Sequence, residues 1–185
     1  MQAEPRQNAA GWVLVGGQSK RMGRDKATLP AGAAGKTLAQ MTAAVVAQVA
    51  SPVTLLGDPA MYGHLGFPAI GDLVPGQGPL SGIHAALTHT RSDWNLIVAC
   101  DLGGLRADYL AAMLQAHAGA RVVTAPGQPL CGIYHRDCLA EVEAALGENR
   151  LRVRELAARL EAREFVVDGV NLFNINTMAD LSEVM

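Results

Sequence analysis

A segment near the beginning of the chain combines adjacent glycines with a high density of cations. Gly16 and Gly17 directly follow an apolar run. Because they lack side chains, their backbone can approach a phosphate closely and offer N–H groups to it. Cationic side chains then follow within seven residues: Lys20, Arg21, Arg24 and Lys26. A triphosphate needs this concentration of charge. The alternative is a flexible turn with solvated lysines, but the position after a strand-like run favours a phosphate-binding loop.

Two better-known phosphate loops do not fit this sequence. The dinucleotide-binding pattern needs three closely spaced glycines, whereas the next glycine after Gly17 is Gly23. The segment Gly35-Lys36-Thr37 resembles the end of a P-loop. However, the first glycine of such a loop would fall at Pro30, and no β-type run precedes it. We therefore predict that residues 35–37 start a helix and that Lys36 is solvated.

Two aspartates are further candidates for chemistry. Asp101 comes just after the apolar run 94–99, where a carboxylate at the edge of a sheet can bind a hard cation. A helix N-cap is the alternative role for this residue. Asp72 lies in a loop rich in glycine and proline, and composition alone makes it a turn residue. The histidines lack the spacing of metal ligands, so Asp101 is the candidate metal ligand.

The elements that must position these residues alternate along the chain. Short β-type runs cover residues 12–15, 53–56, 94–99, 122–125 and 165–167. Helical spacing occupies residues 38–49, 109–117 and 153–160, and Thr177 with Asp180 predicts the capping pair of a last helix. This alternation predicts a three-layer, Rossmann-like α/β fold with a mostly parallel sheet and helices on both faces. Ligands in such folds bind beyond the carboxyl ends of strands, so the loops after Val15, Leu56, Ile70 and Ala99 are the expected site.

Composition limits the class of protein. The 185 residues fit a loose tail over residues 1–10 and one domain over residues 11–185. Half of the residues are hydrophobic, which argues against disorder, and a net charge of −2 argues against a nucleic-acid partner. No apolar run approaches the roughly 18 residues of a membrane span. The first ten residues lack the apolar stretch of a signal peptide. The three cysteines show no zinc spacing, so we expect a reduced, cytoplasmic protein.

The glycine-rich segment resembles the signature loop of the molybdenum cofactor guanylyltransferases, which are nucleotidyltransferases with a Rossmann-like fold. The resemblance rests on the pattern Leu14-x-Gly16-Gly17-x-Ser19-x-Arg21-Met22-Gly23-x-Asp25-Lys26. Later segments are similar to three further motifs of that family: Asp72 with residues 76–83, Cys100-Asp101, and residues 173–177 with Asp180-Leu181. Together these similarities span residues 12–181, nearly the whole chain.

This resemblance implies an activity. Members of the family transfer GMP from GTP to the terminal phosphate of molybdopterin, with Mg²⁺ as cofactor. The implied partners are the substrates GTP and molybdopterin, and cofactor-delivery proteins or apo-molybdoenzymes that would receive the product. No nucleic acid or membrane partner is expected. The implied catalytic residues are Arg21, Lys26 and Asp101, of which Asp101 binds magnesium. The implied substrate-binding residues are Leu14, Val15, Gly16, Gly17, Lys26, Asp72, Asp101, Asn174 and Asn176. The first four lie against GTP through their backbone, and the two asparagines lie toward molybdopterin.

Several positions depart from the family pattern and leave alternatives open. Gly103 stands where the family usually has proline, Met178 replaces another proline, and Val15 replaces an alanine. An asparagine common after the second strand is missing near Gly57-Asp58, and no role is assigned there. The alternatives are a CTP-using molybdopterin cytidylyltransferase, whose loop tends to read Leu-Ala-Ala-Gly, and a non-catalytic carrier. The arginines of residues 150–163 predict a solvated helix face, and docking of a partner or an anionic cofactor is the less favoured interpretation.

Overall fold

The computed structural model describes residues 9–16, 25–31 and 35–182. The strands in these ranges, numbered along the chain, are β1 (Ala9–Leu14), β2 (Pro30–Ala31), β3 (Lys36–Thr37), β4 (Val53–Leu56), β5 (Ala69–Ile70), β6 (Trp94–Ala99), β7 (Leu102–Gly103), β8 (Val122–Ala125), β9 (Gln128–His135), β10 (Arg163–Glu164) and β11 (Phe173–Asn174). The helices are α1 (Leu38–Val46), α2 (Pro59–Tyr62), α3 (Pro79–His89), α4 (Ala107–Gln115), α5 (Leu139–Gly147), α6 (Val153–Arg159) and α7 (Met178–Ser182).

Seven of these strands form one sheet in the order β10-β8-β9-β6-β1-β4-β5. All neighbouring pairs are parallel except those of β9, which runs antiparallel to both β6 and β8. The predicted mostly parallel sheet is therefore confirmed. The strand β9 is not among the predicted ones. It is antiparallel because a tight turn at Gly127, with φ of 65°, returns the chain directly beside β8.

Both faces of the sheet are covered by helices, because successive side chains of the central strands point to opposite sides. On one face, Val13 and Val98 pack with α1 and α4. On the other face, Trp12 and Ile97 pack with α3, α5 and α6. This is the predicted three-layer arrangement. It explains why the central strands are apolar without alternation.

Some predicted boundaries are wrong by a few residues. The first strand occupies Ala9–Leu14 instead of residues 12–15. The expected tail is therefore too long, since Ala9 and Ala10 are buried and pair with β6; residues 1–8 lie outside the described residues. The last predicted strand, 165–167, is also misplaced. The strand is Arg163–Glu164, which pairs with β8 through its backbone at the sheet edge. Because both of its residues are exposed, hydrophobicity does not reveal this strand.

Capping side chains define two helix starts that the sequence predicts. Thr37 and Gln40 form a capping box at the beginning of α1, after the short strand β3, and Lys36 is exposed. At α7, the Thr177 Oγ1 accepts from the Asp180 N–H (3.2 Å), while the Asp180 carboxylate accepts from the Thr177 N–H (2.8 Å). Among the helices of the described ranges, none combines the length and the hydropathy needed to cross a membrane.

Candidate active site

The loops after four parallel strands meet at one edge of the sheet, as the sequence predicts. Backbone hydrogen bonds hold them together beyond the strand ends. The Cys100 N–H donates to Leu14 O (3.0 Å), the Val15 N–H donates to Leu56 O (3.1 Å), and the Gly57 N–H to Ile70 O (2.8 Å). The carboxyl ends of β1, β4, β5 and β6 therefore form one continuous surface.

A cleft of about 920 Å³ opens over the end of β1. The predicted residues that line it are Leu14, Gly16 and Asp72, together with the glycine-rich loop at Gly76 and Gly78. Its volume lies in the range of small-molecule sites. Six of its lining residues are glycines, so a flat ring can lie against backbone.

The start of α3 lines this first cleft, and two glycines allow the helix to begin there and to pack closely against β1. Gly78, just before the helix, has φ of 67° and ψ of −155°, a conformation essentially restricted to glycine. Gly82 lies so close to β1 that an added Cβ would come within 2.2 Å of Leu14 Cδ2. The Ser81 hydroxyl ties the helix to the preceding loop by donating to Val74 O (2.5 Å). The loop that carries Asp72 is thus fixed against α3.

Asp72 lies on this loop as an exposed residue whose carboxyl group is partly shielded by its surroundings. Burial raises the pKa of its carboxyl group above the usual value. A partly dehydrated carboxylate gains from a ligand that donates hydrogen bonds to it. This fits an interaction with a nucleoside, although composition alone makes Asp72 a turn residue.

The side chain of Lys26 ends in a cluster of oxygen atoms. Its Nζ donates to Ile175 O (2.7 Å) and to Asn176 Oδ1 (3.1 Å), and it lies 3.5 Å from Asp101 Oδ2. The side chain is only 15% exposed. Lys26 thus joins the segment after β1 to the last β-strand segment and to the candidate metal ligand.

Asp101 follows β6 by two residues and is held through its backbone. Its carbonyl oxygen accepts from the Ile175 N–H (2.8 Å), next to the antiparallel pairing of β7 with β11. The alternative N-cap role is wrong, since the next helix, α4, begins at Ala107 and its N-cap position is Arg106. Gly103 replaces the usual proline at a crowded point, where an added Cβ would lie 2.5 Å from the Phe173 ring.

A second cleft of about 540 Å³ lies on the other side of Asp101. Asn174 and Asn176 line it with Asp101, so the structure brings these three predicted residues together. Arg152 and Arg154 also line this cleft, and sequence reasoning had placed them on a solvated helix face. The alternation of arginines at the start of α6 is the sequence signal for this wall. Pro79 lines both clefts and marks where they meet.

The remaining predicted residues lie in different places. The Val15 side chain is buried, and its N–H is used by Leu56 O, so this N–H is not available to a ligand. Gly17 and Arg21 lie outside the described residues. Asp25, to which the sequence pattern gave no role, lines the first cleft and caps the turn of residues 26–28 by accepting from the Ala27 N–H (3.0 Å).

The segment at Gly57-Asp58, also left without a role, has a packing explanation. An added Cβ at Gly57 would lie 2.7 Å from both the Val15 side chain and the Tyr62 ring. Asp58 caps α2, since its Oδ1 accepts from the Ala60 N–H (2.9 Å). Burial raises the pKa of the Tyr62 phenol, and the nearby Asp25 carboxylate raises it further, so Tyr62 stays protonated. Both residues 57 and 58 line the first cleft.

Comparison with known proteins gives a consistent result. The family model of the MobA-like NTP transferase domain matches residues 11–163. A protein of Pelotomaculum thermopropionicum named "Probable molybdenum cofactor guanylyltransferase" is 32% identical over 186 residues, which cover 94% of this chain and 90% of the relative. A protein of Deinococcus radiodurans with the same name is 35% identical, and the alignment covers 93% of this chain and 91% of that relative.

Solved structures show the same fold. Molybdopterin-guanine dinucleotide biosynthesis protein A from Archaeoglobus fulgidus superposes with a TM-score of 0.78 at 24% identity, over 95% of this chain and 96% of that chain. A CMP:2-keto-3-deoxy-manno-octonic acid synthetase complexed with CTP superposes with a TM-score of 0.74 at 14% identity, over 96% of both chains. These similarities support the fold alone.

Proposed function

The chain belongs to the family of MobA-like NTP transferases, and we propose that it transfers GMP from GTP to the terminal phosphate of molybdopterin. The products are the guanine dinucleotide cofactor and pyrophosphate. The chain is thus a nucleotidyltransferase, as its guanylyltransferase relatives are. The observation that carries the proposal is the contact of Lys26 with Asp101. Asp101 lines the second cleft, which shares Pro79 with the first.

Each cleft suits one of the two substrates. The first cleft lies over the glycine-rich end of β1, and its volume of about 920 Å³ is sufficient for a nucleoside triphosphate. The second cleft combines apolar walls, such as Leu102 and Leu130, with the arginine side chain of Arg152. Apolar walls favour a planar ring and guanidinium groups favour anionic oxygens. The second cleft therefore suits molybdopterin, which carries a pterin and a phosphate.

Asp101 is the described residue that best fits magnesium. Within residues 9–16, 25–31 and 35–182, no three His, Cys, Asp or Glu side chains form a metal-binding group. A single carboxylate is nevertheless sufficient, because Mg²⁺ in phosphate chemistry commonly completes its coordination with substrate phosphates and water. The Asp101 side chain is 33% exposed and can reach a cation at the junction of the clefts. When bound, the ion would supply neutralisation of phosphate charge.

The proposed reaction needs alignment and charge neutralisation more than proton transfer. An oxygen of the molybdopterin phosphate attacks the α-phosphorus of GTP and forms a new P–O bond. The bond from the α-phosphorus to the bridging oxygen breaks, and its electrons leave with pyrophosphate. The attacking oxygen is already ionised at neutral pH, so no general base is required. Lys26, and Arg21 outside the described residues, would stabilise the charge on the phosphates.

Two further aspects of the proposal concern the nucleotide and the destination of the product. The family resemblance favours GTP over CTP, and the first cleft of about 920 Å³, with Gly76 and Gly78 in its lining, is large enough for a purine nucleotide. We propose that the protein works in the cytoplasm and passes its product to cofactor-delivery proteins or apo-molybdoenzymes. A non-catalytic carrier would bind the same ligands without forming pyrophosphate.

The experiment is a pyrophosphate-release assay with purified protein, Mg²⁺ and molybdopterin, run with each of the four nucleoside triphosphates. We expect release with GTP only when molybdopterin is present, and mass spectrometry should detect the guanine dinucleotide. Release with CTP in preference to GTP would identify a cytidylyltransferase. Binding of both substrates without release would identify a carrier.

A further inference from the structure

The turn between β8 and β9 is held from two sides by side chains distant in sequence. The Gly127 N–H donates to Glu164 Oε1 (3.0 Å), and the Gly127 carbonyl accepts from Arg154 Nη2 (3.0 Å). Glu164 lies in the edge strand β10, and Arg154 lies in the first turn of α6. A single residue at the tip of the turn is therefore bound through both its backbone donor and its backbone acceptor.

The strand ladder alone holds this turn weakly. The pairing of β8 with β9 shifts register between Thr124 and Ala125, just before the turn. Gly127 itself adopts a positive φ of 65°. A bulge next to a tight turn removes ladder hydrogen bonds that would otherwise fix its direction. The two side-chain bonds at Gly127 take their place.

This turn forms a wall between two clefts. The second cleft of about 540 Å³ and a neighbouring cleft of about 390 Å³ share four lining residues: Gly127, Gln128, Pro129 and Arg154. Glu164 lines only the smaller cleft. The position of the turn therefore determines where the second cleft ends.

We propose that Arg154 and Glu164 are positioning residues that fix the Gly127 turn and thereby set the outer wall of the acceptor cleft. This inference rests on the proposed function, in which molybdopterin occupies the second cleft. Because Glu164 does not line that cleft, any effect of its substitution on the acceptor must pass through the turn. Neither residue lines the first cleft, so the interaction with GTP should be unaffected.

Paired substitutions test this proposal. Arg154→Met removes the donor and keeps an unbranched side chain, whereas Arg154→Lys keeps a donor and the charge. Glu164→Ala removes the acceptor, whereas Glu164→Gln retains an amide oxygen. Arg159→Met, which replaces an exposed arginine at the other end of α6, is the matched control.

We expect the disruptive variants to raise the KM for molybdopterin about three- to tenfold, as loss of one hydrogen bond predicts, with kcat and the KM for GTP nearly unchanged. The conservative variants should retain most of the wild-type behaviour. The double variant Arg154→Met/Glu164→Ala should be less impaired than the product of the single effects, because both side chains hold one residue. Hydrogen exchange of the peptide covering residues 125–130 should quicken in both disruptive variants.

The outcomes separate this proposal from the proposed function. Unchanged exchange and an unchanged acceptor KM in Glu164→Ala would overturn the positioning role while wild-type turnover remains intact. A fall in kcat and a rise in the KM for GTP, each as large as the rise in the KM for molybdopterin, would also overturn it. If instead the wild-type protein forms no dinucleotide cofactor, the proposed function fails, whatever the hydrogen exchange of residues 125–130 shows.

Discussion

Replacement of Lys26 by methionine should weaken both the fold and the reaction. Methionine keeps an unbranched side chain of similar length, so the change mainly removes the ammonium group. That group bonds to Ile175 O at 2.7 Å and Asn176 Oδ1 at 3.1 Å, and lies 3.5 Å from Asp101 Oδ2. A hydrogen bond involving a charged group contributes about 1.5–3 kcal/mol. The Asp101 side chain is one-third exposed, and ordering a lysine side chain has an entropic cost, so the net value is near the lower end.

We therefore expect Lys26→Met to lower the free energy of unfolding by about 2 kcal/mol, which corresponds to a fall in Tm of roughly 4–8 °C for a chain of this size. The transition state should lose about 2–3 kcal/mol, by analogy with removal of one donor to a developing negative charge. This loss corresponds to a decrease in kcat/KM for GTP of roughly 30- to 150-fold.

Thermal unfolding and the pyrophosphate assay measure these two effects separately. Lys36→Met is the matched control, since Lys36 is exposed on β3 whereas Lys26 is largely buried. A Tm indistinguishable from that of the control would refute the structural part of the reasoning. A kcat/KM within about twofold of the wild-type value would refute the phosphate-binding role of Lys26.

Three other perturbations have defined expectations. Asp101→Ala should nearly abolish turnover while the circular dichroism spectrum stays native; near wild-type rates would exclude the metal-binding role. Gly104→Ala should lower the free energy of unfolding by on the order of 2–3 kcal/mol, because φ is +75° and the new Cβ would lie 2.1 Å from Asn171 O. Gly119→Ala, with φ of +85° and no atom within 4 Å, should cost less in the same urea titration. Hydrogen bonds from two backbone N–H groups lower the pKa of Asp180 below its ordinary value of 3.8. The ionised carboxylate therefore stabilises the folded state above pH 3.8, and this stabilisation is lost as the pH falls through the lower pKa of the folded state. Asp180→Asn should therefore have a lower urea midpoint than wild type at pH 6, and the difference should shrink below pH 3.8; a difference independent of pH would contradict the assignment.

The sequence predicts the parallel part of the fold well because its strands are locally distinct. The runs of β4, β6 and β8 are predominantly apolar, since both of their faces are covered, and their predicted bounds match the observed ones. The strand β9 begins with polar and proline residues and becomes a strand through pairing with β6 and β8. The two-residue strands β7 and β11 likewise exist only through their mutual contact. Such pairing is not encoded in local hydrophobicity.

The candidate site, like the fold, could be predicted from the sequence only in part. The location of ligand loops follows from the parallel topology, and the resemblance to a family points to Asp101, Asn174 and Asn176 near one another. The bond from Lys26 to the carbonyl of Ile175 joins positions 149 residues apart, and no local pattern indicates it. The arginine wall of the second cleft also could not be predicted, because Arg152 and Arg154 have the spacing of an ordinary solvated helix face.

Calorimetric titration of the purified protein with GTP, with and without Mg²⁺, tests most directly whether the first cleft holds a magnesium triphosphate. We predict one GTP bound per chain, with affinity that rises when Mg²⁺ is added, and loss of that magnesium dependence in Asp101→Ala. No detectable binding of GTP in the presence of Mg²⁺, or a magnesium dependence that survives in Asp101→Ala, would contradict this account.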